Sequence, residues 1–232
     1  MLKKILLTMV GILIICIPGL WAGDSASFVD LGFSDDGGVY MFAQYGVQSG
    51  ALKPWADLFV VDVARNSFVP GGKVSLVHDT PIAAGQDGSG VLYRLIAENA
   101  GLAARYGISF PNQGQPLYVS LRGEGSIAGE TIEFRDFESG KFYRANLVSS
   151  AEGSGQNLRS SFYINMESSS GDGQRRSYTV GDPDMKRPRV TSYHIKKVIV
   201  NRRGNSCVFV IETKRQVEGS YEIRYMVETL RL

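Results

Sequence analysis

Along most of the chain, apolar and polar positions alternate in short runs broken by Gly, Asp, Asn and Ser, a pattern of strands and turns. Leu31 and Phe33, with Asp30, Gly32 and Ser34 around them, read as a strand with both apolar side chains on one face. Asp35-Asp36-Gly37-Gly38 supplies side chains that bond their own backbone and glycines that accept positive φ, so a tight turn follows. Residues 39–43 are strand-favouring and return the chain, and residues 58–63 are apolar enough for a strand covered on both faces. Residues 195–229 repeat the order of strand, turn (Arg203-Gly204-Asn205), strand, connector and strand. Val200 to Gly204 fall there where Phe33 to Gly37 fall in the first unit.

Between these two units, at 29–63 and 195–229, further strands are predicted at 68–76, 117–122, 131–136, 142–148, 161–167, 176–180 and 193–200. One segment follows a different period. Val91, Leu92, Leu95, Ile96, Ala103 and Tyr106 recur at helical spacing, with Ser89 as the expected N-cap, Gly107 as the stop and Gly101 as a break. The expected fold is therefore mainly β: about a dozen antiparallel strands, propeller-like or a β-sandwich, with one helical insertion near residues 89–106.

The first twenty-odd residues belong to neither pattern. Lys3 and Lys4 precede an apolar core at 5–17, Pro18-Gly19 breaks it, and Leu20-Trp21-Ala22 offers a cleavage site. This is the form of an export signal at 1–22, ahead of a single β-rich domain at 23–232. A retained anchor is the competing reading, but the core is short for a membrane span. Leu13-Ile14-Ile15 lacks the small residue expected before a lipidated Cys16. Cleavage removes two of the 25 basic residues and none of the 23 acidic ones, leaving a formally neutral chain. It also leaves Cys207 alone in an apolar run, so no internal disulfide is expected and the thiol reads as a small buried hydrophobe.

The hairpin around FSDDGGVYMF, with ADLFVVDV after it, resembles one blade of a TolB-type β-propeller. Together with SGVLYRLIAENAGLAARYG, the Val180-Gly181-Asp182 step, SYHIKKVIV and YEIRYMVETLRL, it resembles a bacterial family of predicted secreted proteins of unknown function. The likeness runs from Phe28 to Leu232. It implies export and a continuous fold, and carries over no catalytic residue.

Residues that bear chemistry are sparse. The two histidines, His78 and His194, accompany no recognisable nucleophile motif and read as packed or surface residues. No paired-cysteine or H-E-x-x-H spacing marks a metal site, and no cofactor is expected. Gly85-Gln86-Asp87-Gly88-Ser89-Gly90 precedes the helix without the lysine of a phosphate loop, and Gly123-Glu124-Gly125 lacks the helix a dinucleotide site needs. Glu124, Glu130, Glu133 and Glu138 could contain a glycosidase-like pair of acids. Tyr40, Tyr45 and Trp55 could offer faces to sugar rings or serve as packing.

One charge feature survives the neutral total. From Arg175 to Arg203 there are nine basic residues against Asp182 and Asp184, and Arg175, Arg176, Lys186, Arg187 and Arg189 form the candidate polyanion-binding set. Acidic residues of the first unit would neutralise this excess if the two ends pack together. The expectation is a periplasmic or secreted, non-catalytic envelope module that binds or scaffolds a protein, glycan or polyanion, without nucleic acid and without a stable membrane span. The alternative is a hydrolase acting on an envelope polymer through a carboxylate pair.

Overall fold

A computed structural model describes residues 24–121, 129–217 and 220–232. The expected signal at 1–22 and Glu124 lie outside the described residues. The first sheet is an antiparallel meander of β1 (Ser27–Phe33), β2 (Val39–Val47), β3 (Pro54–Asp62) and β4 (Ser67–Val77). Two helices follow, α1 (Ser89–Glu98) and α2 (Ala100–Arg105), and then β5 (Gln115–Val119). The second sheet is built on β6 (Glu130–Arg135), β7 (Phe142–Glu152) and β8 (Arg159–Ser169). The free edge of β8 is shared by β9 (Arg175–Val180) and the short β10 (Arg187–Pro188). The third sheet runs β13 (Ser220–Arg231), β12 (Ser206–Val217), β11 (Val190–Val200), β5.

Three apolar clusters set how these elements stack. Val91, Leu92 and Leu95 of α1 pack on Leu31, Met41, Leu58 and Val60, one face of the first sheet. The other face of that sheet presents Phe33, Tyr40, Phe42, Phe59 and Val61 to Ile199, Val208 and Val210 of the third sheet. The opposite face of the third sheet, with Tyr193, Ile195, Val198, Phe209 and Ile211, meets Phe134, Leu147, Phe162, Ile164 and Met166 of the second. The order of layers is thus helix, first sheet, third sheet, second sheet, and two sheets are buried on both faces. This is the sandwich form of the expected fold. Residues 29–63 make a blade-like meander, but it stacks face to face with its neighbours and forms no radial array among the described residues.

The two-sided burial expected for residues 58–63 is seen directly. Leu58 and Val60 face the helix, while Phe59 and Val61 face the third sheet. Phe28, Phe42, Phe59 and Phe68 stack across the first sheet at centroid separations of 5.7, 4.8 and 5.5 Å. Leu31 and Phe33 do not share a face as their spacing predicts. A bulge between Asp30 and Gly32 shifts the register, so Leu31 joins the helix-side cluster and Phe33 the sheet-side one. Gly32 has φ +103°, and a Cβ there would stand 2.5 Å from the Ser109 carbonyl oxygen, so only glycine allows the switch.

The helix begins one residue earlier than expected, with Gly88 rather than Ser89 at the N-cap. Asp87, just before the cap, accepts from the Ser89 N–H at 3.2 Å and from its hydroxyl at 2.7 Å. The break falls at Asn99 rather than Gly101, with the Asn99 side-chain amide donating to the Leu95 carbonyl. Gly107 ends the pair as expected: it has φ +62°, and the Ile108 N–H donates back to the Ala103 carbonyl.

The two hairpins that echo each other in sequence lie in different sheets, and their turns dock. The Ser206 hydroxyl donates to the Gly37 carbonyl at 2.8 Å, and Arg231 donates to the Ser206 oxygen at 2.9 Å. Asp24 meets Arg224 at 2.6 Å, and Asp30 meets Lys197 at 3.6 Å. Acidic residues of the first unit therefore do pair with basic residues of the last. Only Lys197 among these partners belongs to the 175–203 run.

Candidate functional site

Where the layers part, the β3–β4 turn, the stretch from Tyr178 to Arg187 and the end of β13 frame a cleft of about 800 Å³. Its rim carries Phe68, 52% exposed after stacking on Phe59, and Met185, 55% exposed. Its floor is Glu228 on β13, whose side chain is 6% exposed.

Each partner of Glu228 comes from a different layer. Asn66 occupies the β3–β4 turn in the left-handed region (φ +49°), which asparagine tolerates better than most residues. Its amide nitrogen donates to Glu228 Oε2 and its oxygen accepts from the Thr229 N–H at 2.7 Å. Arg187 approaches Glu228 Oε1 at 3.5 Å from β10. The same guanidinium lies 4.7 Å from the centre of the Phe162 ring and donates to the Met185 carbonyl. Burial pushes the Glu228 carboxyl above the ordinary glutamate range, with Asn66 and Arg187 pulling it back and Asp182 adding to the rise. The long Arg187 contact leaves Oε1 with capacity for a donor from the cleft.

The five candidate basic residues do not form one patch. Arg175 and Arg176 are exposed on β9, Arg175 opposite Ser169 at one end of β8. Arg187 is opposite Ser160 at the other end, nine positions away, or about 30 Å of strand. Lys186 pairs with Glu152 at 3.1 Å, and Arg189 is half-buried at φ +59°. Of the five, Arg187 alone lines the cleft, where its charge is already engaged.

The other candidates divide similarly. Tyr40 is fully buried, and Trp55, 5% exposed, donates its indole N–H to Asp24 under the Arg224 guanidinium. Both are packing residues. Glu133 meets Arg144 at 3.7 Å, with both side chains largely exposed, and Glu138 lies in the following turn. Glu130 bonds His194 at 2.9 Å. His78 is half-buried and accepts from the Thr80 N–H. Asp172 and Asp182 each cap their own turns. Cys207 is free and buried, and burial pushes its thiol far up. Glu228 and Asn66 escape sequence reading because neither sits in a motif; the αL-tolerant Asn66 in a turn was the one available signal.

These features define a layered all-β protein with a cleft at the junction of its sheets. The model of the family described as "Predicted secreted protein (DUF2259)" matches residues 41–231, and the chain belongs to that family. It is accordingly a secreted protein, of a family whose function is unknown. No curated protein and no solved structure matches the chain, and nothing found ties residues 31–63 to TolB propellers. Among the described residues, no helix is long and apolar enough to cross a membrane.

Proposed function

We propose that this secreted protein is a binding module whose ligand enters the junction cleft. The observation that carries the reading is the pairing of exposed apolar side chains at the rim, Phe68 and Met185, with a buried carboxylate at the floor, Glu228. Apolar walls with a few converging polar groups are the usual make-up of a ligand site. The acceptor left on Glu228 Oε1 favours a ligand that presents an amide, hydroxyl or amine donor beside an apolar or sugar-ring face. Peptide and glycan segments of an envelope polymer have that chemistry.

A hydrolase using two carboxylates would place them here, since Asp182 and Glu228 both line the cleft. The binding reading is preferred because Glu228 is tied to Asn66 and Arg187 and Asp182 caps its own turn, so both acids already hold structural partners. Thermal-shift titration with short glycan and peptide fragments of envelope polymer tests it. A fragment at a hundred times its Kd stabilises the native state by about 2.7 kcal/mol. The shift should vanish in Phe68→Ala and Glu228→Gln. Shifts that persist in both variants would place binding elsewhere.

A further inference from the structure

The connection between the third and second sheets brings together three side chains with complementary chemistry. Ser120 follows β5 and is held in register by its N–H, which donates to the Lys196 carbonyl of β11 at 2.9 Å. His194 lies on β11 and Glu130 opens β6. His194 Nε2 is 2.8 Å from Ser120 Oγ, and its Nδ1 is 2.9 Å from Glu130 Oε2. The same carboxylate oxygen accepts the Ile195 N–H at 2.9 Å, so backbone and imidazole hold Glu130 from two directions.

We infer that Ser120 is an acyl-transfer nucleophile, with His194 as its general base and Glu130 as the residue that orients the base. The carboxylate fixes the tautomer with hydrogen on Nδ1, which leaves the Nε2 lone pair aimed at the serine hydroxyl. Here the partners are a hydroxyl on one side and a backbone-anchored carboxylate on the other, each within 3 Å. Ser120 is 6% exposed, and the chain reaches the surface at the next residue, Leu121, which is 98% exposed.

Such a centre would act on a carboxylic ester. Ser120 Oγ bonds to the carbonyl carbon as its proton passes to Nε2, and His194 returns that proton to the departing alkoxide, releasing an alcohol and leaving an acyl-serine. Water then gives a proton to Nε2 and attacks the acyl carbon; the serine recovers the proton and a carboxylic acid is released. One ester and one water become one alcohol and one acid, with no other reactant. This centre is separate from the Glu228 cleft, and its test is independent of binding there.

The full chain is treated with a fluorophosphonate probe and the adduct mapped by peptide mass spectrometry. The expected adduct is on Ser120, absent in Ser120→Ala, with a labelling rate about 10²- to 10⁴-fold lower in His194→Gln. Glu130→Gln, which keeps a hydrogen-bonding group near the backbone, should slow labelling as well. Hydrolysis of p-nitrophenyl acetate should fall in parallel in the same variants. A wild-type protein that unfolds cooperatively yet leaves Ser120 unlabelled between about pH 6 and 9 overturns the inference, and this outcome depends on no variant's folding. Labelling undiminished in a folded His194→Gln, or confined to another serine, overturns it equally.

Discussion

Replacing Phe42 by alanine probes the contact between the first and third sheets at its centre. The ring is 1% exposed and lies 4.8 Å from Phe59, 5.7 Å from Phe28 and 6.1 Å from Tyr40, centre to centre. Its neighbours sit in β1, β2 and β3 and cannot close over the gap without moving three strands. Truncating a fully buried phenylalanine costs about 3–5 kcal/mol in lost transfer energy and cavity formation. A chain of this size loses about 2–4 °C of Tm per kcal/mol, so the melting point should fall by about 6–20 °C. Urea unfolding of wild type and variant with a common m-value gives the difference directly. Phe142→Ala is the matched control. Phe142 is 55% exposed, with Arg135 4.8 Å above its ring, and its loss should cost no more than about 1 kcal/mol. Equal costs at Phe42 and Phe142 would refute the stacking of the two sheets.

Other expectations follow from the same geometry. Asn66→Ala should destabilise by about 1–3 kcal/mol in urea, because it strands a buried acceptor on Glu228 and a buried donor, the Thr229 N–H, together. The raised Glu228 carboxyl binds its proton more tightly folded than unfolded, so its contribution to stability falls as pH rises from 4.5 through the raised value. The wild-type minus Glu228→Gln stability difference, measured by urea titration across that window, should show that fall, and a flat difference would contradict it. Leu95→Ala, which removes a 2% exposed side chain between α1 and the first sheet, should cost about 2–5 kcal/mol. Cys207 should stay silent toward a thiol reagent in the native protein and react on unfolding, since burial keeps it as the thiol.

Strand positions were legible because period-two alternation survives wherever a strand has a wet side, as in β6 and β7. The uniform apolar run at 58–63 likewise announced burial on both faces. Local backbone irregularity was not legible. The Gly32 bulge that sends Leu31 and Phe33 to opposite cores depends on the approach of the Ser109 carbonyl, 77 positions away. The candidate sites were hidden for the same reason. Glu228 gains its meaning from Asn66 and Arg187, and His194 from Ser120 and Glu130, residues joined only by the stacking of sheets. The cluster of basic residues near 175–189 misled in the opposite direction, since β8 holds its members at opposite ends.

The third sheet is an inner layer, covered on one side by the first sheet and on the other by the second, with the Glu228 cleft opening where they part. Amide hydrogen exchange tests this most directly, because protection follows burial on both faces as well as hydrogen bonding. Amides of β11 and β12 should exchange as slowly as those of β2 and β3, β7 and β8 faster, and β9 and β10 fastest among the strands. Slowest exchange in β7 and β8, with β11 and β12 opening alongside β9, would contradict the order of layers on which the whole account rests.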